Sequence, residues 1–181
     1  MHEYLDEFLK GAKTESQIKE AISKTFAKIE QEWLEVARVS FNNGFAKTAY
    51  VGSCALIGVV IDNKLYTASC GDSKGVLLRE KKSKDQVTFE SINISKTFNA
   101  NKKYEQERLK KQFSAEKDAF VCKRNDPKAC YVKGGLMPTR SLGDFRLKHR
   151  EFNFHNFEAE LGYRRPIPQF TGPYISAEPD I

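Results

Sequence analysis

Apolar positions along the chain change period several times, and each change marks an element. Ile18, Ile22, Phe26, Ile29, Trp33 and Val36 recur every three or four residues with lysines and glutamates between them, which predicts one long amphipathic helix. Thr14 with Gln17 three residues on has the spacing of a capping box at its start, and Asn42-Asn43-Gly44 closes it. A shorter stripe, Tyr4, Leu5, Phe8 and Leu9, precedes it and ends at Gly11.

From Ala55 the period shortens. Ala55 to Ile61 is almost wholly apolar, β-branched and too short for a core helix, so it reads as a buried strand. Asp62-Asn63-Lys64 reverses the chain, and Leu65 to Cys70 returns as an antiparallel partner. Gly71-Asp72-Ser73 is a second corner, followed by a third strand up to Glu80, so a three-stranded meander is predicted. Val87 to Ile94 alternates as a strand, Asn99 to Phe113 reads as a lysine-rich helix, and AFVCKR and ACYVKG read as short strands joined at Asn125-Asp126-Pro127. Gly134-Gly135 frees the backbone before LMPTRSLGD. Residues 149–173 lose periodicity: Phe152, Phe154, Phe157, Tyr163 and Phe170, with Pro166, Pro168 and Arg164-Arg165, read as an insertion that covers a sheet or meets a partner.

The 181 residues, 40% hydrophobic and 12% aromatic, suit a single domain with a sizeable core. No apolar run is long enough to span a bilayer, and the start lacks the order of a secretory signal, so an intracellular, non-secreted protein is expected, cytoplasmic or within a cytoskeletal or organellar assembly. The net charge of +6 arises from lysines interspersed with acids, a pattern of solvated faces; no nucleic-acid and no membrane partner is expected. Cys54, Cys70, Cys122 and Cys130 lack zinc-site spacing. Cys122 and Cys130 can face each other across a hairpin, but the reading adopted leaves the cysteines as thiols.

Three strings then point to a family. GSCALIGVV…LYTASCGDSKGVLLR, LMPTRSLGDF and ISAEPDI resemble, in the same order, the central segments of the metal-dependent protein phosphatases, the type 2C or PPM family. Asn99-Ala100, EQERL at 105–109 and LMPTRS lean toward the branch that includes the pyruvate dehydrogenase phosphatases. The resemblance implies an α+β fold, here an incomplete α-β-β-α sandwich with antiparallel sheets. Residues 1–44 would form a helical layer, 45–148 central sheets and a helix, 149–173 the insertion and 174–181 a terminal strand. The chemistry it implies uses paired Mg²⁺ or Mn²⁺ ions, about four ångströms apart, to activate a hydroxide against phosphoserine or phosphothreonine. Most of the family's metal ligands come from an early glutamate-aspartate pair, DGHGG, SDG and a late DN, and its phosphate-binding arginine lies upstream of the part matched here; none of these segments occurs in this sequence.

What carries over is sparse. Asp72 matches an aspartate that in some members serves a peripheral third metal. Gly52, Ser53, Gly71, Ser73, Arg140, Gly143 and Asp144 are read as structural motif residues, with Arg140 pairing with a carboxylate and Asp144 capping a loop. No catalytic residue is assigned. The reading is a non-catalytic phosphatase-like subunit with no cofactor of its own, its exposed sheet edge covered by other protein chains. The alternative is a portion of an active phosphatase requiring Mg²⁺ or Mn²⁺ held outside these residues.

Overall fold

A computed structural model describes residues 1–83, 86–153 and 166–181; the predicted insertion's Phe154, His155, Phe157, Tyr163 and Arg164-Arg165 lie outside the described residues. The architecture is α+β. Helices α1 (His2–Leu9) and α2 (Glu15–Asn42) form an antiparallel pair, and α2 begins with the predicted capping box: Gln17 N–H donates to Thr14 Oγ1 at 3.2 Å while the Gln17 side chain accepts from the Thr14 N–H at 3.1 Å. Two of the helix's four orphan donors are thereby satisfied.

The face that α2 buries departs from the predicted stripe in its second half. Ile18, Ile22 and Phe26 are buried as expected, but beyond them Leu34, Ala37 and Phe41 go inside while Val36 is 58% exposed. The series from Phe26 runs through Glu30 to Leu34, Ala37 and Phe41, which is continuous at helical spacing. A glutamate therefore sits in the middle of the apolar arc. The helix serves two separate cores. Its first half packs on strands β2 (Ala55–Ile61) and β3 (Lys64–Cys70), and its second half on Ala46, Ala49, Tyr50, Phe145 and Phe152.

The β2–β3 hairpin turns on Asp62 (φ 49°) and Asn63 (φ 60°), two left-handed residues of the kind a two-residue hairpin loop needs. One face, with Tyr66, Ala68 and Cys70 and the half-buried Ile57 and Val59, meets α2. The opposite face carries Val60, 71% exposed, and Leu65 opposite it. The predicted third strand does not extend this sheet: β4 (Val76–Lys82) turns away and pairs with β5 (Val87–Asn93), so the meander is two hairpins. Gly71 and the residues after it allow that departure. At φ +119°, Gly71 holds a backbone where a Cβ would lie 2.4 Å from Cys54 Sγ. Leu78 and Phe89 on the second hairpin are 64% and 67% exposed.

The third core gathers helix α3 (Lys103–Gln112), the hairpin β6 (Phe120–Lys123) and β7 (Asp126–Val132), and Leu147, Ile167, Tyr174 and Ile175. The thiol reading fails in this hairpin. Its register sets Cys122 directly opposite Cys130, with Cα atoms 3.9 Å apart, and the two form a disulfide; Cys54 and Cys70 are free. Adjacent Cβ vectors on facing strands supply the closeness that sequence spacing leaves open. The segment predicted as a terminal strand is extended but joins the fold through single bridges, Arg140 to Ser176 and Ser69 to Asp180. No helix among the described residues is long and apolar enough to cross a membrane.

Phe26 is fully buried between α2 and the β2–β3 sheet. Phe26→Ala is expected to lower unfolding stability by about 3–5 kcal/mol, read as a fall in the urea midpoint at unchanged slope.

Candidate functional site

The motif residues assemble at two corners flanking the open end of the β2–β3 hairpin. At the first, strand β1 (Gly52–Ser53) pairs with β8 (Leu142–Gly143), so that Gly52 faces Gly143 and the GSCA and SLGD strings lie side by side. The pairing explains the glycines. A Cβ on Gly52 would stand 2.0 Å from Asp144 Oδ2, and Gly143, at φ +73°, packs against the Trp33 ring, which a Cβ would meet at 2.8 Å. Asp144 is itself left-handed at φ 50°. Its N–H donates to Val51 O at 2.7 Å, and its carboxylate accepts from Ser141 Oγ at 2.8 Å.

Glu30 reaches this corner from α2. One carboxylate oxygen accepts the Gly143 N–H at 2.8 Å, and the other accepts from Lys148 Nζ, which also donates to Ser141 O at 2.6 Å. The side chains of Lys148 and Glu30 are 6% and 15% exposed. Burial pushes the Lys148 ammonium below its ordinary pKa against the opposing pull of Glu30. Each of the pair's charges depends on the other for compensation. Sequence reading missed both residues; the available signal was a glutamate inside the apolar arc of α2.

At the second corner Asp72, half-buried, accepts from Cys54 Sγ at 3.3 Å and from Asn99 Nδ2 at 2.7 Å. Burial raises the pKa of the Cys54 thiol, and Asp72 and Asp144 both contribute their charge to its surroundings. Cys70 behind it is fully buried and pushed up to about 12, so it stays a thiol at neutral pH. Arg140, read from sequence as a partner for a carboxylate, lies 3.8 Å over the Phe98 ring and donates to the Glu178 carbonyl at 2.6 Å. Ser53 Oγ donates to the Cys54 carbonyl at 3.0 Å, and the Ser73 carbonyl accepts from Ser95 Oγ at 3.5 Å.

A two-metal phosphoester centre needs several convergent hard oxygen ligands. Among the described residues no group of three His, Cys, Asp or Glu side chains could hold a metal ion. Asp72 is met by a thiol and a carboxamide that donate to it, not by a second carboxylate. The described residues therefore do not fit a binuclear Mg²⁺ or Mn²⁺ centre.

With this geometry in place, the comparison with known proteins decides the lineage. The family model for protein phosphatase 2C matches residues 1–181. The chain belongs to the protein phosphatase 2C family. It is 35% identical over 164 residues to "Probable protein phosphatase 2C 64" of Arabidopsis thaliana, an alignment covering 90% of this chain and 38% of that relative. "Probable protein phosphatase 2C 72" of Oryza sativa subsp. japonica is 31% identical over 183 residues, covering 100% of this chain and 44% of the relative. The chain thus spans about two fifths of the length of the type 2C relatives it matches. The family's activity is metal-dependent dephosphorylation of protein serine and threonine.

Two outcomes are expected at this site. Glu30→Gln and Lys148→Met should each cost about 3–5 kcal/mol by leaving one buried partner uncompensated, while the double variant should cost clearly less than their sum in a double-mutant cycle. His149 is held below its ordinary 6.5 by burial and by Arg38 and Lys148, with Glu151 opposing. The unfolded chain therefore takes up this proton first, and stability falls as the pH drops through 6.5 toward the lower folded value. Urea midpoints between neutral pH and about pH 5.5 should show that slope flattened in His149→Gln.

Proposed function

We propose that this chain is a non-catalytic unit of the type 2C phosphatase fold that works as a structural element, completed by further protein that covers its open strand faces. The observation that carries the reading is the pair of hairpins with apolar residues in water: Val60 and Leu65 on β2–β3, and Leu78 and Phe89 on β4–β5. Two-stranded hairpins are marginal alone, and contiguous apolar surface of this kind serves as an interface in proteins that keep it. In a two-layer fold such faces pack against a second sheet or helix layer. The matched relatives are more than twice as long, so length to supply that layer exists in the family.

Hydrolysis of phosphoserine or phosphothreonine, with Mg²⁺ or Mn²⁺, then belongs to an assembly whose carboxylates come from outside these residues. The chain's own contribution is to hold the β1–β8 corner and the Asp72 corner in fixed relation. Glu30, Lys148 and Asp144 fix the first corner through the hydrogen bonds described above, and Cys54 and Asn99 fix Asp72 at the second.

The test is hydrolysis of a phosphothreonine peptide with millimolar Mn²⁺. The 181-residue chain is expected to give no turnover above a protein-free control, whereas the longest continuous reading frame that includes it, if it encodes DGHGG and SDG segments, is expected to turn over. Metal-dependent turnover by the 181-residue chain, lost in Asp72→Ala, would overturn the reading.

A further inference from the structure

Four hydrogen bonds run without a break from the β6–β7 hairpin to the Asp72 corner. The Cys130 N–H donates to Asn101 Oδ1 at 2.6 Å, the Asn101 N–H to Asn99 Oδ1 at 2.9 Å, Asn99 Nδ2 to Asp72 Oδ2 at 2.7 Å, and Cys54 Sγ to Asp72 Oδ1 at 3.3 Å. One end of this path is the disulfide and the other is a free thiol. The disulfide is held asymmetrically. Cys130 is fully buried in the third core, and its sulfur accepts from Gln106 Nε2 at 3.4 Å, a group that also holds Ala100 O at 2.7 Å. Cys122, on β6, is only half-buried.

We propose that the Cys122–Cys130 disulfide is a reversible thiol switch that sets the environment of Cys54 through Asn101, Asn99 and Asp72. The reductant is a dithiol, or two equivalents of a monothiol. Its thiolate attacks the accessible Cys122 sulfur, the S–S bond breaks, and Cys130 leaves as a thiolate that takes up a proton. A second thiolate then displaces Cys122 from the mixed disulfide, and Cys122 is protonated in turn. Two electrons and two protons enter the chain, and one disulfide forms in the reductant.

Reduction changes geometry at a place with little room. Bonded sulfurs lie about 2.05 Å apart, and two thiols need a contact distance of about 3.5 Å or more. Cys130 sits in close-packed core, so the displacement passes to what touches it. Its backbone N–H is fixed to Asn101, which places Asn101 as the first residue to respond. Asn99 and Asp72 follow along the same bonds, and Asp72 is the group that Cys54 donates to.

The experiment uses the 181-residue chain equilibrated in oxidised or reduced glutathione, freed of glutathione, and treated with iodoacetamide. Peptide mass spectrometry gives the rate of alkylation at Cys54 separately from the other cysteines. The reduced form is expected to react at Cys54 about threefold faster or more. Asn101→Ala should abolish the difference, and Cys122→Ser should show the faster rate under both conditions. Equal Cys54 rates in the two forms would overturn the proposal. So would a difference that survives Asn101→Ala, or a chain in which Cys122 and Cys130 stay thiols at every glutathione ratio. If Asn101→Ala does not fold, the Cys122→Ser rates alone decide: matching the reduced form supports the switch, and matching the oxidised form overturns it.

Discussion

The contact on which the rest depends is the buried pair of Glu30 and Lys148. It joins a helix, a two-residue strand pair and the end of a 3₁₀ turn, which also meet through Trp33 against Gly143 and Phe145. Both groups sit almost out of water, where a lone charge is expensive and a compensated one is roughly neutral in energy. The gain is therefore in placement more than in net stability. Glu30 binds the Gly143 N–H and Lys148 binds the Ser141 carbonyl, so the loop carrying Ser141 and Asp144 has one setting against α2. Gly52 lies under that setting with no room for a Cβ.

Much of this was legible in the sequence, for reasons that differ by element. The start of α2 could be read because a capping box is a local device whose partners are three residues apart. The β2–β3 turn could be read because Asp62 and Asn63 are residue types that tolerate left-handed backbone. The end of the α2 stripe could not, because Val36 and Leu34 are both apolar and both near helical spacing. Only the presence of Ala46, Ala49 and Phe152 on one side decides between them. The same holds for β4, whose composition fits a third meander strand but whose partner is β5.

The chemistry was legible to a different depth. Gly-Asp-Ser and Leu-Gly-Asp identified the corners because they are contiguous strings. Glu30, Lys148 and Asn101 were hidden because each acts across a large separation in sequence and none sits in a recognisable string, and Asn99-Ala100 was read only as a family match, without the Asn99 bond to Asp72. The disulfide shows the limit from the other side: two cysteines eight residues apart fit a cross-strand pair, and only the hairpin's register says they make one.

Charge placement and strand exposure bear jointly on what the fold can do. A hydroxide attacking a phosphate ester needs cations, and cations need oxygen ligands that converge without competing donors. Around Asp72 the near groups donate: a thiol on one oxygen and a carboxamide on the other. Both oxygens of the Asp72 carboxylate are thus occupied as acceptors. The apolar strands on the outer faces make the complementary point. Leu78 and Phe89 lie on the same face of β4–β5, two residue pairs apart in register, and burying both would remove their apolar surface from water with a gain of a few kcal/mol. The corners thus belong to the inside of the fold, and the open hairpins are the faces that further protein would cover in the function proposed above.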